Sequence, residues 1–408
     1  MKYSLISMLT AVLLMMSCGS EHSEPENDSD KKNKITQAQK DSLLILKKEK
    51  EADIYPQINY EKIYIADKDQ LSEIRKKFAF SKENPYPQKI IKTLNRKEFR
   101  YISVGDTIIV PDTIINNQNA YSLFPHYYHG SKDIPKLILV SNKYQAYGCY
   151  ESGRLVRFAA ANTGKERTQT YPGRYSLEWR DRLRRSSLDS NWVLPFTWNF
   201  HAQAGNAFHQ FDMPGRPVSH SCIRQFMDDA EWLFNWGKGF RTDTSGNRIP
   251  LSGTPVIILD HFDFKIKEYG PWLWLKSNKD RYADLPENPM EVEEAYIPLE
   301  QIPKEARWGL RNKERYEVAL DTLKARGILR EGVTIIPSIN YNKLRREKKA
   351  REMAEKKKKQ QADSAKTNMN VILDNLDALE SDTNKKKKAE EETFLPEAGT
   401  EEDSLNIR

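Results

Sequence analysis

Cys222 lies in the stretch FHQFDMPGRPVSHSCIRQF, residues 208–226, two residues after His220 and thirteen after His209. The chain has three cysteines and seven histidines, so this window gathers an unusual share of both. A thiol attacks carbonyls well only as the thiolate, and a neighbouring imidazole can take its proton. His209 and His220 are therefore the candidate bases. His209 ends a strand-like segment and can return to Cys222 across the loop QFDMPGRPV; His220 shares a face with Cys222 if the chain between them is extended. Ser219 can cap or orient this loop, and Arg224 is a cation able to bind a substrate carboxylate or fix the loop.

Downstream, Ile223, Phe226, Met227, Ala230, Leu233 and Phe234 recur at helical spacing, and Gly237 is a plausible C-cap. This predicts a helix from about Ile223, with Cys222 at its N-terminus. Unpaired amides there would lower the thiol pKa and could hold an oxyanion. Other readings of Cys222 stay open from spacing: one of three zinc ligands with His209 and His220, half of a disulfide with Cys149, or a buried small side chain. The spacing H-x10-H-x-C matches no structural zinc pattern, and no metal is assigned.

The elements that must position these residues are strand-rich. Residues 136–260 form the predicted main domain: KLILVSNKYQAYGCYESGRLVRFAAANTG gives three strand-like segments, TYPGRYSLEWR a turn and strand, and VLPFTWNF, GNAFHQF and GTPVIILD further strands. The expected fold class is mainly β, with one prominent helix after Cys222. Smaller α/β units flank it at 63–111 and 296–337, and a charged tail at 341–408 is expected to stay unfolded. The net charge of +7 is concentrated in KLRREKKAREMAEKKKKQQ, residues 343–361, without interleaved aromatics. That pattern is a solvated run and gives no nucleic-acid partner.

The first 18 residues, MKYSLISMLTAVLLMMSC, hold a short apolar run from Leu5 to Met16 that is too short to span a bilayer and reads as an export signal. Ending in MMSCGS, it resembles a bacterial lipoprotein signal. That resemblance implies lipidation at Cys18 as the mature N-terminus and a lipid anchor at the membrane; residues 19–62 read as a polar tether that passes into a short helix around DSLLILKKEKEAD. Segment 63–111, ending in VGDTIIVP, resembles a LysM-type peptidoglycan-binding module.

The motif SHSCIR with the upstream histidine of AFHQ resembles the signature of the L,D-transpeptidase (YkuD-type) catalytic domain. The opening strands, TYPGRYSL and GTPVIIL follow in the matching order. The resemblance implies a β-sandwich enzyme of the exported cell envelope, periplasm-facing and without a cofactor. It implies a thiolate at Cys222 that attacks the L-to-D peptide bond of a peptidoglycan tetrapeptide stem, forms a thioacyl-enzyme and passes the acyl group to an amine acceptor. His209 is then the general base and His220 shapes the site. Ser219, Ser221 and Arg224 organise the loop and the donor stem, with backbone around Ser221 and Cys222 as oxyanion donors. Ser221 stands where the family most often has glycine. Alternatives are L,D-carboxypeptidase or other cysteine peptidase or amidase activity, and a non-catalytic peptidoglycan-binding lipoprotein.

Overall fold

Residues 36–266, 270–282, 284–337 and 339–392 are described by the structure, a computed structural model. The signal-like segment and Cys18 lie outside the described residues. Helix α1 (Gln37–Ala52) leads to a strand–helix–helix–strand unit: β1 (Tyr60–Tyr64), α2 (Lys68–Lys77), α3 (Tyr86–Asn95) and β2 (Thr107–Pro111). β1 and β2 pair antiparallel, and Ile65, Ile74, Phe78, Ile91, Ile108 and Val110 form the unit's own small core.

The central part carries β3 (Leu137–Ser141), β4 (Ala146–Glu151), β5 (Arg154–Ala160), β6 (Gly173–Ser176), β7 (Arg180–Arg185), β8 (Val193–His201), β9 (Asn206–Gln210), β10 (Ile223–Gln225), α4 (Met227–Trp236) and β11 (Pro255–Ile258). A five-stranded sheet runs β5-β4-β3-β11-β6 and a four-stranded sheet runs β10-β9-β8-β7. Leu137 to Val140 of β3 form an unbroken apolar run because both faces of the strand are covered. Ile138 and Val140 join Phe200, Phe208 and Ile223 of the other sheet in one core. Leu137 and Leu139 pack instead on Ile58, Ile90, Leu94 and Phe124, which ties the N-terminal unit to the back of the sheet.

The expectation of a mainly β chain and a β-sandwich is overturned. Helix takes 39% of the structure against 20% strand, and neither sheet closes. Much of the helix lies at the C-terminus. After the short α5 (Lys313–Glu317) and α6 (Ala319–Ala325), Tyr341–Glu392 is one continuous helix, α7, where an unfolded tail was expected. Its Lys, Glu, Ala, Gln, Leu and Met residues are strong helix formers, and no proline interrupts them. Charge and low aromatic content identified a segment without a core, and helix propensity gave it local order.

The start of α4 also differs from expectation. Ile223–Gln225 is a strand, and the helix begins after Phe226, which caps it without a side-chain hydrogen bond. Ile223 and Gln225 are buried while Arg224 is half-buried, the period of a strand. Cys222 therefore precedes a strand, and the helix-terminus account of its activation does not hold.

Candidate active site

Strand alternation gathers the chemical side chains. β10 runs parallel to β9 with Ile223 opposite Phe208 and Arg224 opposite His209. Phe208 and Ile223 enter the core between the sheets. Successive side chains point to opposite faces, so Ala207, His209 and Phe211 share the other face with Cys222 and Arg224. All five line one cavity of about 820 Å³, together with Ser219 and His220.

Cys222 Sγ–H donates to Gly205 O at 3.5 Å, and no hydrogen bond joins Cys222 to His209 among the described residues. His209 is buried, and its Nδ1–H donates to Gln210 O at 2.9 Å. A carbonyl only accepts, so this contact assigns the tautomer and leaves Nε2 as the basic nitrogen. Burial is the main cause that pushes the His209 pKa down to about 4, with Arg224 adding to it and the Gln210 carbonyl opposing. Burial likewise pushes the Cys222 thiol up to about 11, against the Ala207 amide and the Arg224 charge. With the thiol pushed up and the imidazole pushed down, the two groups rest at neutral pH as thiol and neutral imidazole.

His220 is held differently. Lys165 Nζ donates to His220 Nε2 at 3.3 Å, and the Trp192 ring lies over the imidazole with centroids 5.6 Å apart. Burial, then Lys165 and Arg224, push its pKa down to about 4. Its Nε2 lone pair thus already accepts from a cation.

The loop between the histidine and the thiol is tightly gripped. Ser221 has φ 76°, in the left-handed region, and its Oγ donates to Asn206 Oδ1 at 2.7 Å. Ser219 Oγ donates to Cys222 O. Thr170 Oγ1 donates to Ser221 O at 3.1 Å and accepts from Gly164 N at 3.0 Å. The Asn162–Gly164 strip flanks the thiol on both sides, with Asn162 bridged to Arg224 and Gly164 to Ser219. A Cβ on Gly164 would lie 2.2 Å from Thr168 O, so only glycine admits this close approach.

Arg224 does not sit free in the pocket. Its Nη1 donates to Asp212 O at 2.9 Å, and the guanidinium lies 4.7 Å from the Phe211 ring centroid. Asp212 accepts in turn from Tyr101 Oη at 2.8 Å and pairs with Arg100, so the N-terminal unit buttresses the loop before Cys222. Asn206, Lys165, Trp192 and Asp212 were missed by sequence reasoning. Each acts across a tertiary contact with no motif spacing to reveal it.

The disulfide reading of Cys222 loses its geometry. Cys149 and Cys222 are both free, and Cys149 is fully buried in the core between the sheets. Among the described residues no group of three His, Cys, Asp or Glu side chains is arranged to hold a metal ion.

Residues 135–258 match the family model described as the L,D-transpeptidase catalytic domain, YkuD. No curated protein matches the chain significantly. Among solved structures, an L,D-transpeptidase from Stackebrandtia nassauensis is 18% identical with a TM-score of 0.26, covering 31% of this chain and 57% of its own. L,D-transpeptidase 3 from Mycobacterium tuberculosis is 16% identical with a TM-score of 0.25, covering 31% and 61%. The L,D-transpeptidase (residues 123–326) from Xylanimonas cellulosilytica is 19% identical with a TM-score of 0.29, covering 49% and 97%. The chain thus spans less than two thirds of the length of the first two. No helix among the described residues is long and apolar enough to cross a membrane.

Proposed function

We propose that the 135–258 segment is a cell-wall L,D-transpeptidase that works through Cys222. The observation that supports this most is the common cavity face of β9 and the residues entering β10. There Cys222 lies near an imidazole whose Nδ1 is engaged by Gln210 O and whose Nε2 is left basic. Sulfur attacks the carbonyl of the L-to-D bond of a tetrapeptide stem while His209 Nε2 takes the thiol proton. The tetrahedral oxyanion is held by backbone amides at Ser221 and Cys222. Its collapse breaks the C–N bond, and the imidazolium returns the proton to the departing amine of the D-residue. An amine acceptor then attacks the thioester, loses its proton to His209, and releases Cys222 as the thiol.

In this reading His220 shapes the pocket, Ser219 fixes the Cys222 carbonyl, and Arg224 lends positive potential near sulfur. Further parts of the proposal are a lipoprotein signal over 1–18 with Cys18 lipidated, a tether and short helix over 19–62 and an exported, periplasm-facing enzyme. The 63–111 unit holds the enzyme near its glycan, a role favoured by its separate core and its contact with Asp212. The 296–337 unit closes the cavity rim.

The test is mass spectrometry of purified stem peptides incubated with the protein. Crosslinked stems are expected. Tripeptide alone would replace the amine with water as acceptor, the L,D-carboxypeptidase outcome. Unchanged stems, with Cys222 never acylated, would overturn the enzyme reading in favour of a binding role.

A further inference from the structure

Two stretches outside the family-matched segment fold back over the thiol. Residues 303–306 line one side of the Cys222 cavity, and Asn340, Lys343 and Arg346 line another. Their three-residue spacing puts 340, 343 and 346 on one face at the start of α7. Neighbouring residues on the same turn grip the β7–β8 loop. Asn342 N donates to Leu188 O at 3.0 Å and Asn342 Oδ1 accepts from Ser190 N at 2.9 Å. Arg345 pairs with Asp189 at 2.5 Å, and the Tyr341 ring meets Trp192, the residue that also covers His220. The first turn of α7 is thus a fixed wall of the pocket.

That wall is cationic. The charged lining consists of Arg184, Arg224, Lys304, Lys343 and Arg346 against Glu305 alone. Arg184 reaches Asp181 at 3.9 Å, and Arg224 is held by Asp212 O. Lys304, Lys343 and Arg346 have no acidic partner among the described residues. Unpaired cations around a concave site concentrate anions there, and guanidinium and ammonium groups both bind carboxylates well.

We propose that Lys304, Lys343 and Arg346 form a carboxylate-recognition wall over Cys222, built by the C-terminal extension, that selects an anionic group on the molecule presented to the thiol. As a determinant of stem specificity this rests on the transpeptidase reading; as a charge-selective wall it does not. Lys343 and Arg346 are the specificity-determining residues, and Asn342 and Arg345 position them.

The experiment uses two small alkylating probes of one mechanism, anionic iodoacetate and neutral iodoacetamide, on the full chain. Modification is read at the Cys222 peptide, so Cys18 and Cys149 do not interfere. The ratio of the two rates cancels any change in thiol pKa. Lys343→Glu/Arg346→Glu should lower the iodoacetate-to-iodoacetamide ratio about three- to tenfold at low ionic strength, and raising salt should shrink that difference. The milder Lys343→Gln/Arg346→Gln should lower it in the same direction, and serves if charge reversal unseats α7. An unchanged ratio in a variant with wild-type circular dichroism and melting temperature would overturn the wall. Stem-peptide turnover is scored separately: its absence in the wild type removes the transpeptidase reading and leaves the ratio as the measure of the wall.

Discussion

Ser221 Oγ donates to Asn206 Oδ1 at 2.7 Å while Ser221 itself holds φ 76°. One residue before the thiol, the chain carries a side chain where backbone geometry favours glycine, and gives that side chain a buried partner. Left-handed backbone costs a non-glycine residue roughly 1–2 kcal/mol, and a hydrogen bond returns about 1 kcal/mol. The two nearly cancel. Ser221→Gly relieves the strain but also leaves Asn206 Oδ1 unpaired, so it should change stability by no more than about 1–2 kcal/mol. Ser221→Ala keeps the strain, loses the bond and leaves Asn206 Oδ1 unpaired, so it should be less stable by about 1–3 kcal/mol. Thermal unfolding of the three proteins checks the order; an alanine variant as stable as the wild type would remove the role of Asn206, and one as stable as the glycine variant would remove the backbone strain.

A neutral thiol–imidazole pair and an ion pair give different pH profiles. With the thiol pushed up to about 11 and His209 down to about 4, sulfur holds its proton throughout the neutral range. Iodoacetamide modification of Cys222 should keep accelerating from neutral pH toward 11, because only the thiolate reacts. An ion pair would instead plateau near neutrality. His209→Ala should leave this alkylation profile nearly intact, yet slow acylation by a stem peptide by about 10²–10⁴-fold, the usual weight of a general base. Acylation at the wild-type rate in that variant would sink the assignment of His209.

What could be read from the residues alone was local. Alternation in GNAFHQF and the buried apolar run LILV are periodic features that survive in three dimensions as β9 and β3. The helical count that began at Ile223 misled because the same residues also satisfy a strand's alternation over three positions. Pairing with β9, a tertiary contact, decided between them. The charged C-terminus was legible as lacking a core and illegible as a helix whose first turn reaches the site. The contacts of Asn206, Lys165 and Trp192 span separate segments, and spacing carries no trace of them.

The histidines should also make the fold acid-sensitive. His201, His209 and His220 are each held down to about 4, with burial the first cause in every case. Each is therefore protonated more readily unfolded, near 6.5, than folded. The unfolded chain binds more protons between these values, so stability is full above about 6.5 and is lost as pH falls toward 4. Urea unfolding across that range should show the decline. His201→Gln, outside the lining of the Cys222 cavity, should flatten the slope by up to about one proton. A slope as steep as the wild type's would show that His201 does not titrate on unfolding.

Thr170 connects the turn after the NTG strip to the nucleophile loop. Its hydroxyl accepts from Gly164 N and donates to Ser221 O, so one side chain spans both strips that hold Cys222 in place. Thr170→Ser retains both bonds and should retain turnover. Thr170→Val keeps the shape and removes both, leaving a buried amide and a carbonyl without this partner, at a cost of about 1–3 kcal/mol. Because the loop carries the thiol, the loss should fall on kcat for the stem peptide more than on KM, since a misplaced nucleophile slows attack without removing substrate contacts. Equal kcat in the valine and serine variants would show that the loop keeps its geometry without Thr170, and that the serine hydroxyl on Asn206 suffices to hold it.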